Sequence, residues 1–291
     1  MRQFDYEQYL TARWDTEVVS YIGRLREYNA RQTQYLKVCA QDLIKLTEIA
    51  KIQSVDCSNA IEGISTTDDR LRRLISEKTT PRNRDESEIL GYRDVLKTIH
   101  ENYMHIPLRP TYILQLHRDL YRYSYSSTGG KYKAAPNYIN ARTSDGQSYT
   151  IFKPLEPYET PEALERICAE YTRMTDADAL DALLLIPIFI GDFLCIHPFA
   201  DGNGRMSRLL TTLMLYRSGF FVGKYISLEK IILETKADYY AALRDISRNW
   251  HSGQNDYGAF VKYFLQILMR AHKELDERIE LLNASNSMRR K

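Results

Sequence analysis

The sequence predicts an all-α fold with a small β-hairpin inserted between its helices, and three observations carry that reading. Apolar residues recur at helical spacing along most of the 291 residues. One stretch, Ser126 to Thr160, loses that periodicity and becomes rich in Gly, Pro, Asn, Ser and Thr. Two apolar runs, Ala182 to Ile196 and Leu209 to Tyr216, flank a short polar loop with two glycines around an amide.

Leu10, Trp14, Val18, Ile22 and Leu25 place a long amphipathic helix at the start of the chain. A second runs from about Gln41 toward Glu62 on Leu43, Leu46, Ile49 and Ile52, with Gly63 as its stop. Ile89, Tyr92, Leu96, Ile99 and Tyr103 mark a third, and Pro107 and Pro110 punctuate the loop after it. Thr111 is the expected cap of a helix carrying Ile113, Leu116, Leu120 and Tyr123. In the aperiodic stretch, Asp145-Gly146 signals a hairpin turn between strands Asn137–Arg142 and Gln147–Phe152. Helices resume after Pro161 with Leu164, Ile167 and Tyr171, and the two apolar runs come next. Ser227 caps a further helix, and Tyr239, Tyr240 and Leu243 lie on another. Val261, Phe264, Leu265, Leu268 and Leu275 mark the last. The expected organisation is an N-terminal helical extension over 1–105, a core over 106–282 and a flexible polar tail over 283–291.

Charge is nearly balanced, +2 from 40 basic and 38 acidic residues, so nucleic acid and membrane surfaces are not expected partners. Cys39, Cys57, Cys168 and Cys195 are scattered without a C-x-x-C pair, which speaks against a disulfide framework or a zinc site. The N-terminus has no apolar signal core and no run is long enough to span a bilayer; the cytoplasm is the expected compartment.

The loop between the apolar runs reads His197-Pro-Phe-Ala-Asp201-Gly202-Asn203-Gly204-Arg205-Met-Ser-Arg208. A helix opening after Gly-Asn-Gly presents free backbone N–H groups and a positive dipole end, which together favour an anion. Arg205 and Arg208 are three apart, so both are expected to reach polyphosphate oxygens. Asp201 is a hard oxygen ligand suited to Mg²⁺ held alongside phosphates. His197 is the expected base for a hydroxyl nucleophile.

These twelve residues resemble the motif of the Fic family, His-Pro-Phe-x-[Asp/Glu]-Gly-Asn-Gly-Arg-x-x-Arg, at every specified position. The resemblance implies a mainly helical Fic fold and transfer of AMP from ATP to a Ser, Thr or Tyr hydroxyl of a target protein. It makes ATP the substrate, Mg²⁺ the cofactor, and Gly202, Asn203, Gly204, Arg205 and Arg208 the nucleotide-binding residues. Tyr239-Tyr240-Ala-Ala-Leu243 looks like the helix bordering adenine in that family, which adds Tyr240. Gly130-Lys-Tyr132-Lys133 and Asn137-Tyr138-Ile139 resemble the lead into its target-docking flap, with Lys133 where Arg is usual and Asn137 where an aliphatic residue is common. Self-modification and a homodimer are further implications of the resemblance.

Ser58-Asn-Ala-Ile-Glu62-Gly63 resembles the inhibitory signature of the same family, [Ser/Thr]-x-x-x-Glu-[Gly/Asn]. Ser58 and Glu62 are four apart and share one helix face. Glu62 also stands at a helix C-terminus, where the dipole disfavours an anion and a cation from elsewhere is expected. The resemblance names that cation as Arg208, which otherwise grips the ATP γ-phosphate. Other outputs on the same fold are AMP removal, another nucleotide donor, or a non-catalytic nucleotide-sensing regulator.

Overall fold

The computed structural model describes residues 2–36, 40–124, 128–142 and 147–289. Among them are eleven α-helices and one two-stranded antiparallel sheet. The first helix, α1 (Thr16–Leu36), starts later than the apolar spacing suggested, because the Asp15 carboxylate accepts the Glu17 N–H at 3.0 Å and opens the helix there. Leu10 and Trp14 therefore precede α1, and the leading segment is fastened through Phe4 and Tyr6, both buried. Helix α2 (Ala40–Ile61) matches its expected span, but its buried face runs through Leu43, Leu46, Ala50, Val55 and Ser58, and Ile49 is exposed. A short helix, α3 (Asp68–Ile75), is one that the apolar spacing did not predict.

Helix α4 (Arg84–Asn102) is capped by Asn83, whose Oδ1 accepts the Glu86 N–H at 2.9 Å. It crosses α5 (Pro110–Leu120) at Gly91, where a Cβ would sit 1.8 Å from Leu120 O. Thr111 is not the cap of α5: Arg109 takes that place and Pro110 fills the first turn, where its missing N–H costs nothing. The hairpin is present as β1 (Ile139–Arg142) and β2 (Ser148–Phe152), paired antiparallel with Ile139 opposite Phe152. Its expected turn at Asp145-Gly146 lies outside the described residues, as does Cys39.

The centre of the molecule is α7 (Ala182–Ile196), apolar on every side and buried from Leu183 to Ile196, as a helix enclosed by others must be. It packs on α6 (Thr160–Asp176), on α8 (Asn203–Arg217) and on α11 (Gly258–Arg289). Its one carboxylate, Asp192, accepts from Tyr6 Oη at 2.9 Å, Trp250 Nε1 at 2.7 Å and the Tyr257 hydroxyl. Burial pushes that carboxyl up, against Arg2 and these donors. Helix α9 (Leu228–Glu234) is capped by Ser227 as expected and packs on α2, while α10 (Lys236–Ser247) packs on α11. Helix α11 continues to Arg289, so the expected tail from Asn283 is helical backbone to that point. Among the described residues no helix is long and apolar enough to cross a membrane.

Candidate active site

The polar loop joins α7 to α8, so both ends of a buried helix pair hold it rigidly. His197 closes α7 in a left-handed conformation, φ 52° and ψ 62°, that non-glycine residues rarely adopt. Its Nδ1 lies 3.1 Å from Leu194 O. A carbonyl only accepts, so Nδ1 carries the proton and Nε2 keeps a lone pair. Burial pushes the imidazole down to about 4, with Lys133 adding to that and the Leu194 bond opposing it. At neutral pH His197 is an uncharged base.

Inside the loop, Asn203 is 2% exposed and spends both ends of its amide on Phe199: Oδ1 accepts the N–H at 3.0 Å and Nδ2 donates to the carbonyl at 2.8 Å. Its side chain is spent on bracing the loop. Gly202 stands at φ 82°, the turn that lets α8 begin. His117, which belongs to no sequence motif, lies flat on Phe199 with ring centroids 3.6 Å apart. Gly130 N–H donates to its Nδ1 at 3.0 Å, so its Nε2–H donates to Asp201 O at 3.1 Å.

The two motif arginines have different partners. Arg208, 4% exposed, donates from Nε to Ser58 Oγ at 2.8 Å and from Nη2 to Ser58 O at 2.9 Å and Glu62 Oε1 at 2.8 Å. Ser58 and Glu62 thus meet one guanidinium, as their spacing allows. A Cβ on Gly204 would lie 2.2 Å from Glu62 Oε1, so this carboxylate rests on the first turn of α8. That is the end of the helix where unpaired N–H groups attract anions. Gly63, at φ 79°, turns the chain away after Glu62, and Lys236 Nζ donates to Ile61 O at 2.7 Å, covering the end of α2.

Arg205 is enclosed instead. Its Nη1 lies 2.6 Å from Glu88 Oε2 and its Nη2 donates to Tyr121 Oη at 2.9 Å, with both charged side chains 1% exposed. It ties α8 to α4 and reaches the cavity only at its wall.

Asp201 is half-exposed and accepts the Gly202 N–H at 2.7 Å, while Arg84 Nη2 donates to its Oδ2 at 3.0 Å. Partial burial would raise this carboxyl, but Arg205 and the Gly202 N–H outweigh it and hold it below its ordinary value. No group of three or more His, Cys, Asp or Glu gathers among the described residues to hold a metal unaided. One carboxylate beside a helix N-terminus fits Mg²⁺ only if the ion takes its other ligands from phosphates and water.

A cavity of about 550 Å³ joins Glu62, His197, Asp201 and Arg208 with Tyr240 and Leu243 of α10 and with Tyr138 and Ile139 of the hairpin. Such a volume suits a nucleotide-sized ligand. Tyr138 and Tyr240 are exposed and Ile139 is half-buried, so the apolar rim faces the opening. Asn137 turns inward, its amide bound to the loop rather than presented to a partner. The contributions of Arg84, Glu88, His117 and Lys236 had no local signature, because each acts on a residue distant in sequence.

The model of the Fic/DOC family matches residues 107–215. The protein adenylyltransferase Fic of Nematostella vectensis is 25% identical over 179 residues, 59% of this chain and 39% of that protein. The protein adenylyltransferase fic-1 of Caenorhabditis elegans is 27% identical over 165 residues, 55% of this chain and 29% of that protein. The chain thus spans well under half the length of these relatives. Two crystal structures share the fold at 22% identity. A Fic family protein from Desulfovibrio desulfuricans has a TM-score of 0.73, covering 92% of this chain and 76% of its own. A Fic domain containing signaling protein from Bacteroides thetaiotaomicron has a TM-score of 0.69, covering 89% and 94%. The complete loop motif and the matching family model place a Fic/DOC region at residues 107–215 of this chain, on the helical fold that the two crystal structures share.

Proposed function

We propose that the protein is an adenylyltransferase that moves AMP from ATP to a hydroxyl of a target protein and is held back by its own Glu62. The carrying observation is the Glu62 carboxylate on Arg208 at 2.8 Å, set over the first turn of α8 in the cavity that holds His197. The relatives named protein adenylyltransferase support the same reaction.

In this reading the triphosphate lies over Gly202, Gly204 and the start of α8, with Arg208 as its γ-phosphate partner once Glu62 leaves. The adenine is bordered by Tyr240. Asp201 is the residue that would hold Mg²⁺, which supplies charge neutralisation on the leaving diphosphate. A target segment adds to the hairpin edge near Tyr138 and Ile139 through main-chain hydrogen bonds. His197 Nε2 takes the hydroxyl proton as the oxygen attacks the α-phosphorus in line and diphosphate departs. While Glu62 occupies Arg208, ATP lacks that γ-phosphate contact and its α-phosphate is misaligned, which alone can cost about 10²-fold in rate.

The test compares wild type, Glu62→Gly and Glu62→Gly with His197→Ala, each given Mg²⁺, a cell lysate and α-labelled ATP, γ-labelled ATP or labelled UTP. Label from the α position that rises with Glu62→Gly and vanishes in the double variant is the expected result. Label from γ-ATP or UTP instead would assign another donor. Label loss from AMP-modified protein, dependent on Glu62, would assign removal.

A further inference from the structure

Four consecutive carbonyls of the turn that carries His197 are held by two residues of one segment. Lys133 Nζ donates to Ile196 O at 3.0 Å, and its backbone N–H donates to Pro198 O at 2.9 Å. Asn137 Nδ2 donates to Phe199 O at 3.0 Å and, at longer range, to His197 O at 3.4 Å. The two side chains are joined, with Lys133 Nζ donating to Asn137 Oδ1 at 2.9 Å. Two residues beyond Asn137, Ile139 opens β1.

The chemistry of the pair is reciprocal. An ammonium has three donors and no acceptor, whereas an amide offers both, so Asn137 can receive Lys133 and still give to the loop. Lys133 is 3% exposed, and its Nζ rests on two neutral oxygens rather than on a carboxylate. Glu156 and Glu159 act on it from a distance and His197 is its titratable neighbour. A buried ammonium so placed is unfavourable unless it is held by its hydrogen bonds, and burial pushes its pKa down to about 8. The turn it braces contains the left-handed His197, a conformation that persists only when its surroundings over-determine it.

We propose that Lys133 and Asn137 form a positioning clamp that couples the hairpin to the base, so that a target strand seated on β1 fixes His197 against the reacting hydroxyl. The clamp rests on the transferase reading above, and its residues touch neither ATP nor the attacked phosphorus.

The test uses the full chain in the Glu62→Gly background, with Asn137→Ala, Lys133→Met and Lys133→Arg. Measured are kcat, KM for ATP, the melting temperature and the titration of the His197 ring by NMR. For Asn137→Ala and Lys133→Met, kcat falls about 10- to 100-fold, as a misplaced base implies, while KM for ATP stays within about twofold. In Asn137→Ala the His197 midpoint rises from about 4 toward 6.5, because an opened turn admits water. Lys133→Met raises it as well by removing a cation, so the neutral Asn137 variant is the clean arm. Lys133→Arg, whose donors reach the same oxygens, recovers most of kcat. A kcat and a His197 titration both unmoved in Asn137→Ala would overturn the clamp, as would an equal loss of ATP binding. Should Lys133→Met melt below the assay temperature, half-buried Asn137→Ala still decides. If Glu62→Gly transfers nothing from any nucleotide, the transferase reading fails, and the ring titration alone judges the clamp.

Discussion

The proton on His197 is fixed by one carbonyl. Leu194 O can only accept, so Nδ1 is its donor and Nε2 is the atom left to act as base. A base held near 4 is active when unprotonated, so kcat of a released variant should climb as pH rises through about 4 and then level off. A kinetic profile with a midpoint at the ordinary histidine value would place the ring in a wetter setting than this one. Removing the ring as His197→Ala should lower kcat by about 10²–10⁴, measured at matched ATP occupancy. Arg205 makes a different prediction. Its partner Glu88 is 1% exposed and keeps only Arg84, bound at its other oxygen, so Arg205→Ala leaves a buried carboxylate half-compensated and should destabilise the fold by up to about 3 kcal/mol, read from urea unfolding. An unaltered urea midpoint would show that the Arg205–Glu88 pair does not hold α8 to α4.

Between elements, the determining contacts are close approaches and helix ends. At Gly91 α4 and α5 pack backbone to backbone, and a Cβ placed 1.8 Å from Leu120 O must push them apart. Gly91→Ala should cost about 1–3 kcal/mol in chemical denaturation, as overpacking does. Lys236 covers the end of α2 through Ile61 O, one residue before Glu62. In the proposed reading Lys236→Met should therefore loosen the hold of Glu62 on Arg208 and raise basal transfer partway toward that of Glu62→Gly; basal transfer unchanged by Lys236→Met would separate this cap from that inhibition. Much of this level was legible in the sequence. The span of α2, the hairpin strands and the two core helices around the loop came from periodicity and turn residues. The start of α1 was not legible, because the Asp15 cap outweighed the apolar spacing at Leu10 and Trp14. Nor was the division of labour between Arg205 and Arg208. Their spacing put both on one helix, but Glu88 and Tyr121 claimed one and Ser58 and Glu62 the other. Helical spacing reports direction, and only tertiary packing supplies partners.

At the scale of the whole molecule, buried titratable groups couple stability to pH. Burial pushes His100, His117 and His272 each down to about 4, from an ordinary 6.5 in the unfolded chain. The unfolded chain therefore binds protons first on acidification, so their contribution is full above about 6.5 and is lost as pH falls toward 4. Glu86 has the carboxylate pattern: the Arg70 hydrogen bond holds it at about 2, and its contribution is lost only as pH falls from 4.5 toward 2. Melting temperature followed by circular dichroism should decline below about pH 6.5 and fall further below about 4.5. A flat curve between pH 7 and 4.5 would mean that the three histidines are hydrated. The Asp192 network ties the leading segment and the residues just before α11 to α7, the helix that His197 closes. At the other end of the loop the displaceable charge is Glu62, one-third exposed, facing an Arg208 that is almost wholly enclosed.

The most direct test of this account is the initial rate of AMP incorporation at saturating ATP and Mg²⁺, measured for wild type and Glu62→Gly side by side. Glu62→Gly should raise the rate about 10²-fold, the cost of a misaligned α-phosphate. Equal rates in the two proteins, with ATP bound by both, would contradict it.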